Sequence, residues 1–377
     1  MKTMCRVMGS VLFLFVLSAC APQVSAPVVP TITPTGAAPT EPACKSLPGK
    51  CPAWSPAAPA SAGRITAANL DQLSAPTELS NFPVYGISWS ADAKRMALTG
   101  PAGIVVYAVN PWQLLLAIDL HGYPTFGLAL SPDGKTLAYS PGYNPSQPIE
   151  QVVHLVDVDS GRERTALKGH AKTIWHIAFS ADGSRLATNS DDYQIWIWDV
   201  QSGAVIKKFT DQPTQATLTF SPDGKSLLVE SLFGAPFVFD LQTDVVWMLG
   251  QKSNDVPPHV YSAAFSPDGR TILVGADDHQ LHRWDLASRK EVGVWLAHAD
   301  TVDSVAFAPD GKLIASSSRD GTIKFWDAVT NKLITTLTQA DSANSAPVYR
   351  VMFSPDGQFL LACFGKQLTL RVWGVKP

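Results

Sequence analysis

One five-residue phrase recurs along this chain and limits what it can become. It reads Phe179-Ser-Ala-Asp-Gly183, Phe220-Ser-Pro-Asp-Gly224, Phe265-Ser-Pro-Asp-Gly269, Phe307-Ala-Pro-Asp-Gly311 and Phe353-Ser-Pro-Asp-Gly357. Looser copies stand earlier, at Leu130-Ser-Pro-Asp-Gly134 and Trp89-Ser-Ala-Asp-Ala93. The seven aspartates fall at 92, 133, 182, 223, 268, 310 and 356, with spacings between 41 and 49. A near-fixed period of about 40–50 residues is the mark of a repeat architecture in which each unit is one supersecondary element.

Each copy ends one apolar run and begins another. Proline presets the backbone for the second place of a type I turn, Asp suits the third, and Gly accepts the left-handed residue that follows. That combination joins two antiparallel strands, here Ile174–Ser180 to Arg185–Ser190. Seven recurring carboxylates also invite a reading as calcium ligands or acids, but a Pro-Asp-Gly turn needs no ligand to explain it.

With 377 residues the chain has room for one large all-β domain or two smaller ones. Net charge is -3, charged residues make up 16%, and the pI is about 6.2. These values speak against a nucleic-acid binder, which carries a basic stripe.

The N-terminus has the layout of an address. Lys2 and Arg6 precede an apolar run, Val7 to Leu17, that is too short to span a bilayer. The following Leu17-Ser-Ala-Cys20 resembles the bacterial lipoprotein signal, which implies cleavage before Cys20 and acylation of its thiol. Several acyl chains hold a protein at a membrane far better than one. An ordinary secretory signal cleaved nearby is the alternative. From Ala21 to about Gly63 lie 10 of the 29 prolines, with no charge between Cys20 and Glu41. Such a segment buries no core and favours extended conformations. It is expected to tether the domain above the bilayer. Cys44 and Cys51, within it, are expected to form a local disulfide outside the cytoplasm, leaving Cys363 a free buried thiol in a strand. The expected organisation is a signal over 1–19, a lipid-anchored Cys and tether over 20–63, and a repeat domain over 64–377.

The full unit is clearest at 169–209. Gly169-His170 opens it, strands run Ile174–Phe179, Arg185–Thr188 and Gln194–Trp198, and Trp198-Asp199 closes the third before Gln201-Ser-Gly203 turns into Ala204–Phe209. Four short strands in about 40 residues, opened by Gly-His and closed by Trp-Asp, resemble the WD40 repeat. The resemblance implies an all-β fold, a single seven-bladed β-propeller with one four-stranded blade per repeat. Unit six, with His298, Asp320, Trp326 and Asp327, is close to the pattern. Unit five lacks the His, unit four has Phe239-Asp240, unit two carries an insertion at Pro141 to Glu150, and unit one lacks the Trp-Asp pair. Unit seven holds only three strands, so a segment near Pro76–Ser80 is expected to supply the fourth and close the ring, removing exposed sheet edges.

The resemblance further implies a buried hydrogen-bonded set in each well-formed blade: His170, Thr188, Asp192 and Trp198 in unit three, and His298, Ser316 (or Ser318), Asp320 and Trp326 in unit six. A His–Ser–Asp set invites a hydrolase reading, but its recurrence within one chain favours a rigidifying network. His279 and His282, three apart, would fall on opposite faces of a strand and share no metal. No metalloprotease, nucleophile-elbow or P-loop motif occurs.

Four residues before each turn-entry residue stand Tyr85, Phe126, Trp175, Ala216, Tyr261, Asp303 and Tyr349; His176 and Arg350 are among those one place later. In WD40 propellers such first-strand positions lie near one mouth of the central channel. An aromatic rim with Asp and Arg has the composition of a recognition surface, inter-blade packing being the alternative. The expected function is a non-enzymatic protein- or peptide-binding scaffold, monomeric and without cofactor or metal. It would be anchored by lipid at the outer face of a bacterial cell membrane or in the envelope. The alternative is a metal-dependent hydrolase or lactonase of propeller type with its site in the channel.

Overall fold

The computed structural model describes residues 61, 63–74, 76–78, 83–101, 103–120, 125–142, 151–231, 235–249, 259–338, 346–365 and 368–376. Cys20, Cys44, Cys51, the signal, most of the tether and nearly all of the unit-two insertion lie outside these residues.

After a short 3-10 turn at Leu70–Gln72 and the two-residue strand β1 (Thr77–Glu78), the strands follow in groups of four. Blade 1 is β2 (Gly86–Trp89), β3 (Arg95–Gly100), β4 (Gly103–Ala108) and β5 (Gln113–Ile118). Blade 2 is β6 (Leu128–Leu130), β7 (Thr136–Tyr139), β8 (Val152–Asp157) and β9 (Glu163–Lys168). Blade 3 is β10 (Ile174–Phe179), β11 (Arg185–Ser190), β12 (Gln194–Asp199) and β13 (Val205–Phe209). Blade 4 is β14 (Thr217–Phe220), β15 (Ser226–Glu230), β16 (Phe237–Asp240) and β17 (Val246–Met248). Blade 5 is β18 (Val260–Phe265), β19 (Thr271–Ala276), β20 (Gln280–Asp285) and β21 (Lys290–Leu296). Blade 6 is β22 (Val302–Phe307), β23 (Leu313–Ser318), β24 (Thr322–Asp327) and β25 (Leu333–Thr338). Blade 7 takes β26 (Val348–Phe353), β27 (Phe359–Phe364) and β28 (Thr369–Gly374) from the C-terminal end and β1 from the N-terminal side, through Thr77↔Val372 and Glu78↔Arg371. The fold is a seven-bladed β-propeller closed by the expected N-terminal strand.

The core is distributed between the blades. Each main apolar cluster joins one sheet to the next: Ala129, Val153 and Leu155 of blade 2 pack on Ile174, Ile177 and Trp198 of blade 3, and the pattern repeats around the ring. The cluster between blades 6 and 7 also takes in Ile65, Leu70 and Leu73 from ahead of β1. Ile65 N–H donates to Gly357 O at 2.7 Å, Lys376 N–H donates to Gln72 O, and Leu73 bridges to Val375. This clamp is an addition to the single closing strand expected above.

The recurring turn has the predicted geometry. Gly134, Gly183, Gly224, Gly269, Gly311 and Gly357 all have φ between 68° and 72°. The Asp is occupied by its own turn. In blade 3, Ser180 Oγ donates to Asp182 Oδ1 at 2.5 Å, as does Ser184 N–H at 3.0 Å, and Ser180 Oγ accepts Arg185 N–H at 2.9 Å. The Ser180 hydroxyl leads the interactions that hold the Asp182 carboxyl down at about 2. Successive turns also touch. Arg95 reaches Gly134 O, Arg185 reaches Gly224 O, and Gly183 lies over Pro132, Gly269 over Pro222, Gly311 over Pro267 and Gly357 over Pro309. The turns therefore form a belt at one end of the ring, opposite the end where the first strands begin.

Candidate functional site

The first strand of each blade is innermost, and its free edge faces the channel. A strand edge leaves backbone N–H groups without ladder partners, and buried ones must find others. Here side chains from the preceding blade supply them. Ser88 Oγ accepts Leu130 N–H, His176 Nδ1 accepts Leu218 N–H, Glu230 Oε2 accepts Ala263 N–H, and Ser262 Oγ accepts Val305 N–H, at 2.9, 3.1, 2.8 and 3.2 Å. Ser304 Oγ donates to Val351 O at 3.3 Å. The inner strands are thus stitched across five of the blade junctions.

Rim residues fall into separate groups. Tyr85, Phe126 and Trp175, on the entries to the first strands of blades 1, 2 and 3, form a continuous ladder with ring centroids 5.7 and 5.2 Å apart. Blade 4 breaks it: Ala216 is buried and its N–H donates to Asn189 Oδ1. On blades 5 and 6 the Arg319 guanidinium lies over the Tyr261 ring at 4.8 Å, and its Nε meets both Asp303 oxygens at 3.2 Å. Asp303 is only 8% exposed and already paired, so it offers no free carboxylate. Burial lifts its carboxyl to about 6, with Arg319 pulling the other way. Tyr349 joins neither group and is half-buried, whereas Arg350 beside it is exposed and has no ion pair among the described residues.

The Arg350 charge reaches across the ring. Burial first, and Arg350 second, push His176 down to about 4, which matches an Nδ1 that must keep its lone pair to accept Leu218 N–H. Glu230, on the second strand of blade 4, is lifted to about 7 by burial against the pull of the Ala263 N–H and of Arg350. Glu230 and Arg319 belong to the mouth although the first-strand register does not reach them. The signal for Glu230 was a carboxylate closing the apolar run Leu227-Leu-Val-Glu230.

The two hydrogen-bonded sets lie inside their blades. His170 Nδ1 meets Asp192 Oδ2 at 2.8 Å and Nε2 meets Thr188 Oγ1 at 2.7 Å, while Trp198 Nε1 donates to that same Oγ1 at 2.9 Å. His298, Asp320, Ser316 and Trp326 repeat the arrangement at 2.9, 2.8 and 2.9 Å; Ser318 instead donates to Asp300 O. The His170 side chain is fully enclosed, so no substrate reaches the hydroxyl beside it. Gly169 has a structural reason: a Cβ there would sit 2.4 Å from the Trp196 ring that stacks on His170. His279 stands in a left-handed turn ahead of β20 rather than on the strand, and His282 is held between Asp278 and Glu291 at 2.9 and 2.7 Å. Among the described residues, no group of three or more His, Cys, Asp or Glu is arranged to hold a metal ion. Among the described residues, Cys363 is buried and forms no disulfide.

The family model described as WD domain, G-beta repeat matches residues 161–199, 250–285, 289–327 and 331–374. WD40 repeats therefore occupy at least four places, ending at Trp198-Asp199, Trp284-Asp285, Trp326-Asp327 and Trp373-Gly374. The unmatched blades 1, 2 and 4 close with Tyr107-Ala108, Val156-Asp157 and Phe239-Asp240. Among curated relatives, the chain is 29% identical over 154 residues to "Eukaryotic translation initiation factor 3 subunit I" of Candida albicans, covering 37% of this chain and 43% of that one. It is 26% identical over 140 residues to "Guanine nucleotide-binding protein subunit beta" of Solanum tuberosum, covering 35% and 37%. It is 27% identical over 138 residues to "Small ribosomal subunit protein RACK1" of Schizosaccharomyces pombe, covering 34% and 43%. The matches span less than half the length of each relative.

Proposed function

We propose that this protein is a non-catalytic interaction scaffold that seats a protein or peptide segment on the channel mouth. We also infer that it is held outside the cytoplasm of a bacterium by lipid on Cys20. The observation that carries the scaffold reading is the Tyr85–Phe126–Trp175 ladder, which sets three rings side by side at the start of the innermost strands. Large rigid aromatics of this kind, and arginines such as the exposed Arg350 on the first strand of blade 7, dominate binding energy at interfaces. Each of the three relatives is named as a subunit, or as a protein of a subunit, within a larger assembly, which fits the same reading. The anchoring rests on Lys2, Arg6, the Val7–Leu17 run and Leu17-Ser-Ala-Cys20.

The test is photocrosslinking in cells from position 175 and, as a control, from exposed Ile206 on an outer strand. A discrete protein adduct from 175 alone is expected, and it should vanish when Tyr85 and Phe126 are both replaced by Ala in a chain that still folds. Adducts that persist in that folded variant would sink the mouth as the docking site. Separately, Cys20→Ala should move the protein out of the membrane fraction; a membrane-bound product of unchanged size would refute the lipid anchor.

A further inference from the structure

On the third strand of each blade, the residue just before the closing aromatic (or its equivalent) faces the next blade. In six blades it is apolar and almost fully enclosed: Val106, Leu155, Ile197, Val238, Phe325 and Val372. In blade 5 it is Arg283, paired in register with Leu273 on one side and Gly293 on the other. An arginine therefore stands in the wedge between blades 5 and 6 where every other junction has hydrocarbon, and the neighbouring position on β21 contributes no side chain to fill the space.

The guanidinium is incompletely satisfied. Nη1 donates to Ala328 O at 2.7 Å, and the group lies over the Trp295 ring at 5.5 Å. Nε and Nη2 are shielded from solvent and have no hydrogen-bond partner. Among the described residues, no carboxylate is paired with it. Asp285 accepts from Ser288, Asp327 accepts from Val329 and Thr330, and Glu291 is engaged with His282. Burial lowers Arg283, and no neighbouring negative charge opposes it. Leaving a buried charge unpaired is among the costliest arrangements in a fold.

The two unpartnered nitrogens make up one edge of the guanidinium, the side-on fork that matches two oxygens of a carboxylate or phosphate. Trp295, whose ring the guanidinium covers, and Asn331 also carry unpartnered polar atoms: Trp295 Nε1, a donor, and Asn331 Oδ1, an acceptor. The three side chains meet around Gly293. A Cβ built on Gly293 would lie 3.5 Å from Asn331 Nδ2, 3.8 Å from Arg283 Cβ and 3.8 Å from Trp295 Cζ3. Gly293 and Asn331 are both partly exposed, which leaves a route from solvent.

We propose that the wedge between blades 5 and 6 is a binding site for a small oxyanion, held side-on by Nε and Nη2 of Arg283 and lined by Gly293, Trp295 and Asn331. A protonated oxyanion such as dihydrogen phosphate satisfies the donors with its oxygens and Asn331 Oδ1 with its hydroxyl. The bound ion neutralises Arg283 and ties two blades together, so it stabilises the folded ring by mass action.

The test is thermal unfolding at constant ionic strength, replacing the bulky anion gluconate by phosphate or by chloride. Phosphate should raise the wild-type Tm by about 2–4 °C at saturating concentration. Arg283→Leu, which restores the side chain of Leu155, should abolish the response, and Arg283→Lys, which loses the fork, should weaken it. Chloride, which lacks the paired oxygens that match the fork and a hydroxyl for Asn331 Oδ1, should do less. An equal shift from chloride would overturn the oxyanion assignment, and an equal phosphate response in Arg283→Leu would overturn the site. Should the leucine variant fail to fold, a crystal structure of the wild type grown from phosphate decides. Density for a tetrahedral ion against Nε and Nη2 supports the site, and water alone there refutes it.

Discussion

At the scale of single residues, the repeated turn shows how little freedom a recurring motif leaves. Six copies place Gly in the left-handed region, and the first copy puts Ala93 there, at φ 58°. A side chain in that conformation costs roughly 1–2 kcal/mol, part of which glycine's greater unfolded-state entropy offsets. Ala93→Gly should therefore raise stability by about 0.5–1 kcal/mol, seen as a higher urea midpoint at unchanged slope. A lower midpoint would mean that the packing of the Ala93 methyl outweighs the backbone strain. The turn residues were legible because their conformational demands are local. Arg283, Arg319 and Glu230 were not, since what distinguishes them is the partner each meets or lacks across a blade junction. Aligned third strands do expose Arg283 as the charged exception among apolar equivalents, a signal present in the sequence once the register is known.

At the scale of elements, the strands followed from alternating apolar runs between turns, and the missing fourth strand of the last blade from counting. The clamp ahead of β1 was not foreseen, because Ile65, Leu70 and Leu73 make too short a pattern to read as a strand or a helix and acquire meaning only against Leu313, Phe325 and Val348. Two residues of β1 pairing supply few ladder bonds, so most of the closure energy is expected from those three apolar side chains. Truncating Leu70, 6% exposed, to Ala should cost about 2–4 kcal/mol, within the range for buried leucines. Hydrogen exchange would then show early loss of protection in β28. Protection of β28 equal to that in the wild type would show that β1 holds the edge unaided. The tetrads behave oppositely: their geometry is set inside single blades, so the set that the WD40 resemblance implied, His170, Thr188, Asp192 and Trp198, does lie within hydrogen-bonding reach.

At the scale of the whole molecule, the channel links blades that share no sheet. The Glu230 carboxyl, lifted to about 7 from an ordinary 4.5, holds its proton more tightly in the folded ring than in the unfolded chain. Stability is then greatest below about pH 4.5 as far as this group alone is concerned, and falls as pH rises towards 7. Glu230→Gln, which keeps an oxygen for Ala263 N–H, should be more stable than wild type by roughly 1–3 kcal/mol at pH 8 and nearly equal to it at pH 5, in matched denaturant titrations. A pH-independent difference would show that Glu230 does not titrate in this window. The ring also has a consequence in time. Its last blade joins partners separated by 293 positions, as between Arg371 and Glu78. Loop closure over such a span must precede any of the contacts that reward it. Blades 1 to 6 can therefore pair their strands in the order in which they emerge, but the chain has no closed edge until its final strand is available. The N-terminal segment waits unpaired throughout, which makes ring closure the step at which a half-made molecule is most exposed to the wrong strand.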